Sequence, residues 1–356
     1  MTRAYSAMTT LVVTKLQSSG TSDYSVAEVN NGLVRALAEY SDYRPHIVNV
    51  TFELEGRFGT DVTASASALT DTVKGQFLAG DATNEKVIHN TTRNTWAVVL
   101  TQSSTSVVTL GMNLMTANDN YKIYNKQCWN HRQINIGDIT NYQSIHSVEY
   151  PINQRRNFKV YDRVLEVDVD YIPDSNSNTA IVTLPNDMTT LVRFNYPHAL
   201  PNLTDYAGVV AGTAATVGAT TVAMSSLQSA GTINVGTEFT IENHRTTYTV
   251  ASSATIASNT VAVTIFPALE AVASSTWVVT IKQTSLDPQD EEILATLAAG
   301  RIMEDKANKY PNALGIGGGA VWQNFRVLGS SLVNEALTEL KRKSPWKTSR
   351  RYPTEY

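Results

Sequence analysis

"LDPQDEEILATLAAGRIMEDKANKYP", residues 286–311, reads as a helix with both ends marked. Asp287 offers a cap, Pro288 suits the first helical position, and the acids at 290 to 292 stand where the helix dipole favours negative charge. Pro311 forces a stop near Asn308. Ala295, Ala298, Ala299 and Gly300 permit close approach by another helix, either of this chain or of a second subunit. "GRIMEDKANKY" mixes acids and bases at i, i+4 intervals, the pattern of a solvated helical face.

Two further helices flank this one in the chain. "SVAEVNNGLVRALAEYSDYRP" starts at Ser25 with Glu28 three residues on, a capping box, and repeats apolar residues at Val26, Val29, Leu33, Leu37 and Tyr40. It predicts a helix over 25–41, ended before Pro45. "AVWQNFRVLGSSLVNEALTELKRK" predicts another over 320–341, with Trp322, Phe325, Leu328, Leu332, Val333, Ala336, Leu337 and Leu340 along one stripe. Lys341, Arg342 and Lys343 close it where the dipole favours cations.

Between Ile47 and Lys282 the pattern turns to short alternating runs rich in Val, Thr, Ile and Tyr, broken by Gly, Asn, Asp and Ser, as antiparallel strands require. "VLEVDVDYI" puts Leu165, Val167, Val169 and Tyr171 on one face and Glu166, Asp168 and Asp170 on the other. Two segments share an order of strand, turn, aromatic-bearing strand and Thr/Val strand. The first carries Trp96 and Tyr121, the second Tyr248 and Trp277. They read as two small β-barrel or sandwich modules inserted in a host domain.

The expected fold is therefore α+β and multidomain, with a helical-bundle core at the chain ends, an antiparallel β region and the two inserted modules. The expected divisions are 1–58 (core, first helix), 59–132 (module 1), 133–205 (core, β part), 206–282 (module 2), 283–343 (core, helix pair) and 344–356 (an extended arm).

A chain of 356 residues with 42% hydrophobic content can bury a sizeable core. Its net charge of −4 is unevenly spread. Residues 341–356 set six basic side chains against Glu355, a net of +5, which leaves −9 on the other 340. A general nucleic-acid binder would carry its basic surface on the folded body. One cysteine, Cys128, excludes an intramolecular disulfide and points to a reducing compartment. "MTRAYSAMTTLVV" lacks the apolar core and cleavage site of a signal peptide, so the sequons at Asn49, Asn90 and Asn202 carry little weight. The most apolar stretch, residues 206–224, is too interrupted by Gly and Thr to span a bilayer, and no membrane partner is expected.

Chemical motifs are weak throughout. "GIGGGA", residues 315–320, fits G-x-G-x-x-A, but it follows a helix where a dinucleotide fold needs a strand, and no P-loop lysine closes it. The histidines at 46, 89, 131, 146, 198 and 244 show no metal-ligand spacing, and Cys128 with His131 is not a usual nucleophile pair. No cofactor, metal or catalytic residue is expected, so the chain reads as a non-enzyme. Glu166, Asp168 and Asp170 remain a candidate acidic face, toward a channel or a neighbouring subunit. The arm offers Pro345, Trp346, Lys347, Arg350, Arg351, Tyr352 and Tyr356 after Lys343; aromatic and Arg residues interleaved with Pro suit a protein groove better than a phosphate backbone.

Three stretches together, "VNNGLVRALAEYSDYRP", "ITNYQSIHSVEYPINQRRNFKVYDRVLEV" and "LAAGRIMEDKANKYPNALGIGGGAVWQNFRVLGSSLVNEALTELKRK", resemble head–tail connector proteins of tailed bacteriophages, also called adaptor, head-completion or neck proteins. The resemblance covers about half the chain, the host domain, and rests on helix and strand patterns. It implies a dodecameric homo-oligomeric ring in the virion neck, assembled in the bacterial cytoplasm, between portal protein and a downstream tail or stopper protein. Double-stranded DNA would pass through the channel without sequence-specific contact. On that reading Leu297, Ile302, Phe325, Leu332 and Leu337 pack the ring helices, and residues 343–356 dock on the portal. Two alternatives stand beside it. One is another neck or tail ring, a stopper or tail terminator. The other is a carbohydrate-binding adhesin in which Trp96, Tyr121, Tyr248 and Trp277 stack on sugars.

Overall fold

The computed structural model describes residues 3–16, 24–63, 67–169, 189–201, 203, 205–212, 214–309 and 321–343, with backbone alone at 321 and 322. Among these, the four long helices stand near the chain ends and strands, with one short helix, fill the middle, in an antiparallel α+β fold. In chain order the first elements are α1 (Tyr5–Lys15), α2 (Val26–Tyr43), β1 (His46–Glu53), β2 (Phe58–Thr60), β3 (Ala68–Thr70) and α3 (Gly80–Thr83). Next come β4 (Val87–Asn90), β5 (Thr95–Ser104), β6 (Val107–Leu110), β7 (Asn120–Tyr124), β8 (Gln133–Asn135) and β9 (Ser144–Glu149). β10 (Arg155–Arg156), β11 (Phe158–Tyr161), β12 (Val164–Val167) and β13 (Thr189–Tyr196) follow. The second β segment holds β14 (Ala207–Val210), β15 (Thr221–Ser225), β16 (Ala230–Ile233), β17 (Glu238–Ile241), β18 (Thr247–Val250), β19 (Ala254–Ala257), β20 (Val261–Phe266) and β21 (Val278–Ile281). α4 (Glu291–Lys309) and α5 (Val321–Lys343) complete the set. The chain forms two compact units, Met1–Val48 with Asn195–Tyr356, and Asn49–Phe194.

The first unit contains a helical bundle and a closed barrel. α2 begins as its sequence dictates: Glu28 N–H donates to Ser25 Oγ (3.2 Å) while Ser25 N–H donates to Glu28 Oε2 (2.9 Å). α4 is the central helix of the bundle, packed against α1, α2 and α5. It is therefore apolar on nearly every side, with Ile293, Leu294, Leu297, Ile302 and Met303 all buried. Each such side chain contributes about 1.5–3 kcal/mol on leaving water. Its small residues let neighbours approach: a β-carbon on Gly32 of α2 would lie 2.2 Å from Ile302 Cγ1, and one on Gly300 would lie 2.9 Å from the Gly329 carbonyl oxygen of α5.

Three features of the bundle differ from the sequence expectation. α1 is a helix that no apolar stripe announces; Met8 and Val12 alone of its eleven residues are fully enclosed. α4 starts at Glu291, one turn later than Asp287 and Pro288 suggest, because residues 287–290 form a separate turn closed by Asp290 N–H on the Asp287 carbonyl (2.8 Å). The mixed charges of 301–309 face α2 as well as water. Arg301 Nε donates to Glu39 (2.9 Å), Asp305 accepts from Arg35 (2.9 Å) and Lys309 donates to Glu28 (3.1 Å), a ladder of pairs one helical turn apart.

The barrel closes in the order β14-β15-β20-β18-β17-β21, with β21 paired to both β14 and β17. β16 and β19 form a two-stranded sheet beside it. Strand alternation fills its interior: Val261, Val263 and Ile265 of β20 point inward while Ala262 and Thr264 face out. Val222, Tyr248, Val250 and Val279 are fully enclosed.

The second unit holds a six-stranded sheet, β2-β7-β4-β5-β6-β3, a three-stranded sheet, β11-β12-β8, and the sheet β1-β13-β9-β10, whose strands β1 and β13 cross the unit boundaries. Its inner side carries a buried charge network. Arg57 has no exposed surface and places all five guanidinium donors: Nε and Nη2 on Glu55 (3.0 and 2.8 Å), Nη1 and Nη2 on Asp81 (3.0 and 2.7 Å), and Nη1 on the Gln76 carbonyl (2.7 Å). Lys86 Nζ stands 3.0 Å from Glu55, so two cations balance two carboxylates. Burial alone would raise the Glu55 carboxyl, but Arg57 and Lys86 outweigh it and hold it down at about 2.

Candidate assembly surface

α5 presents two faces. Val333, Ala336 and Leu340 are buried against α4 and the rest of the bundle, with Phe325, Leu332 and Leu337 partly buried at the margin of the same core. Val327 is 72% exposed and Leu328 43%, next to the exposed polar residues Gln323, Asn324 and Ser331. Leu328 thus leaves the inward stripe that its spacing predicts. The geometry is set at the next residue, where Gly329 is pressed backbone to backbone on Gly300 and fixes which side of α5 meets α4. Val327 escapes notice in the sequence because it lies off the apolar repeat.

Of the residues expected to pack a ring, Leu297 and Ile302 lie in the core of their own chain, since α4 is covered by three other helices. Their side chains are spent there. Phe325, Leu332 and Leu337 stand at the core margin, beside the exposed stretch of α5.

The basic end of α5 is anchored. Asp290, immediately before α4 and 1% exposed, accepts from Tyr40 Oη (2.6 Å), from Arg44 Nη1 and from Lys343 Nζ (3.2 Å). Burial and then the Asp290 carboxylate push the Tyr40 phenol well above its usual range. One carboxylate thereby joins the ends of α2 and α5 to the start of α4. Lys343, expected at the head of the docking arm, belongs to this junction. Pro345, Trp346, Lys347, Arg350, Arg351, Tyr352 and Tyr356 lie outside the described residues, as do the "GIGGGA" segment and Asp170.

The rest of the acidic face is divided. Leu165, Val167 and Val169 are buried as their alternation predicts, Glu166 accepts from Gln133 Nε2 (3.1 Å), and Asp168 is exposed beyond the end of β12. Among the described residues no group of three His, Cys, Asp or Glu is placed to hold a metal ion, and no helix is long and apolar enough to cross a membrane. Cys128 is buried, and burial pushes its thiol up to about 12.

The four aromatics of the β segments have different settings. Tyr121 is enclosed with its hydroxyl on Asp71 Oδ2 (2.7 Å), Tyr248 is enclosed with its hydroxyl 2.6 Å from His244 Nδ1, and Trp277 is partly buried against the barrel core. Trp96 alone of the four is 37% exposed, on the outer face of β5, stacked on His89 at 3.8 Å. A cleft of about 570 Å³ opens near β2, lined by Phe58, Asp61, Asp71, Lys74, Tyr121 and Lys122. Its Asp71 is committed to Tyr121 and to the backbone N–H groups of Val73 and Lys74.

No family model, no curated protein and no solved structure matches the chain.

Proposed function

We propose that this chain is a structural ring component of a tailed-phage neck, joining portal to tail around the DNA channel and carrying no chemistry of its own. The observation that carries the reading is the uncovered apolar step on α5, Val327 and Leu328, on a bundle whose own core is already filled by Val333, Ala336 and Leu340. A neighbouring copy would cover that step. In a closed ring the contact is heterologous, so one side of each bundle meets a different side of the next. Full burial of the two side chains would contribute about 1.5–3 kcal/mol each per contact.

Residues 344–356 supply the portal-docking arm in this proposal, and the Asp290–Lys343 contact marks where the bundle ends and the arm begins. The arm's three basic side chains and three aromatics favour an acidic protein groove. The test is truncation after Lys343, with portal binding measured by co-sedimentation. The bundle should keep its thermal transition and portal binding should be lost. Undiminished binding by the truncated chain would overturn the assignment of the arm.

A further inference from the structure

The barrel is tied to the helical bundle by two segments, the incoming one beginning at 197–201 and the outgoing one at 282–290, and a histidine stands between them. His198 donates its backbone N–H to Ser41 Oγ (2.9 Å), and Ser41 donates in turn to the Leu37 carbonyl of α2 (2.6 Å). The His198 Nδ1 lies 2.9 Å from Ser285 Oγ, which also accepts the Ala199 N–H (2.9 Å). Ser285 N–H returns to the Ala199 carbonyl (3.2 Å). The incoming segment, the outgoing segment and α2 are thus fastened around one imidazole.

A second imidazole faces it. His46, the first residue of β1, has its ring centroid 5.4 Å from that of His198, while the Tyr40 ring meets His198 edge-on at 5.3 Å. On its far side His46 rests on Gly236, where a β-carbon would stand 2.7 Å from Cδ2; Gly236 is in a barrel turn with φ +81°. The pair therefore touches the bundle on one side and the barrel on the other.

The charged groups around the pair act in both directions: Glu238 favours a proton on His46, while Lys282 opposes one there and Arg44 opposes one on His198. Arg44 stands at the end of α2, and Lys282, just past β21, shares Glu238 of β17 with the field at His46. Asp290 is taken by Tyr40, Arg44 and Lys343, and Asp287 lies 3.8 Å from Arg44. Burial first, and the neighbouring imidazole second, hold His198 down at about 4; burial likewise lowers His46.

We propose that His46 and His198 form an acid-sensitive latch, which pins the barrel to the bundle at neutral pH and frees it once both rings carry protons. Two imidazolium groups at this separation repel each other, and Glu238, the carboxylate that favours a proton on His46, is already paired with Lys282. Separating the 197–200 and 282–286 segments from Ser41 lets both rings reach water. The barrel and the bundle each keep a closed core, so the opening is local. Because the closed state favours neutral rings, protons are taken up on opening, and opening is promoted as pH falls from 6.5 toward 4.

Pulsed hydrogen exchange with mass spectrometry on the full chain, equilibrated at about pH 7 or about pH 4.5 and corrected for intrinsic rates, tests the latch. Residues 195–200 and 282–287 should lose protection by about tenfold or more at the lower pH while β20 and α4 keep theirs. His46→Gln should flatten that dependence. Protection that stays constant at both segments, or falls equally throughout the barrel and bundle, would overturn the proposal. So would an unchanged pH response in folded His46→Gln. Should that variant not fold, the wild-type segments decide the matter, with proton NMR of the two rings reporting whether their titration coincides with the loss of protection.

Discussion

Gly300 and Gly329 meet backbone to backbone: a β-carbon on either would stand 2.9 Å from the carbonyl oxygen of the other. In an exposed helix interior, Gly→Ala is stabilising by about 1 kcal/mol. Here the sign reverses. Gly300→Ala and Gly329→Ala are each expected to destabilise the bundle by about 1–3 kcal/mol, because α4 and α5 must move apart to admit a methyl group. Urea unfolding measures it, and a midpoint that rises would show that the helices are not in contact at this point.

Arg57→Met removes one cation from a site where Glu55 and Asp81 have no route to water. The expected cost is about 3–5 kcal/mol, the usual penalty for leaving a buried charge without its partner. Denaturant unfolding followed at Trp96 and Trp129 should report the loss in the second unit. A cost below about 1 kcal/mol, typical of a surface pair, would contradict the buried arrangement.

The two units should answer acid differently. The Glu55 carboxyl is held at about 2, below its ordinary 4.5, so the folded state favours the ionised form. That stabilisation is present above pH 4.5 and is lost as pH falls toward 2. The histidine junction of the first unit has the opposite charge change, with neutral rings favoured by the fold, and weakens between 6.5 and about 4. Loss of protection in β4 and β7 before residues 195–200, on lowering the pH, would contradict both assignments.

Cys128 should be inert in the native protein. Its thiol is pushed up to about 12 by burial, so the thiolate is scarce at neutral pH. Ellman's reagent at about pH 8 should react only after denaturant is added, on the timescale of unfolding. Rapid stoichiometric labelling of the native chain would show an open thiol.

Much of the helical architecture is legible in the sequence because its signals are local. Ser25 and Glu28 lie three residues apart and cap each other, and Val333, Ala336 and Leu340 share one helical face. Signals that depend on distant partners are not legible. The charges at 301, 305 and 309 have the same spacing whether they face water or α2, and only the packed bundle shows that Glu39, Arg35 and Glu28 meet them. Asp290 looks like any first-turn acid until Tyr40, Arg44 and Lys343 converge on it. Arg57 finds Asp81 through a fold that places α3 beside the start of β2. The candidate surface was half visible: the stripe of α5 is in the sequence, but the exposure of Val327 and Leu328 depends on how Gly329 seats on Gly300.

The ring assignment is tested most directly by cryo-electron microscopy of the full-length chain assembled with the portal protein of the same particle. The expected result is a closed ring below the portal, with Val327 and Leu328 of each copy covered by the next, and with no ring from a Val327→Glu variant that still folds. A chain that stays monomeric on the portal, or a ring that leaves both side chains in water, would contradict it.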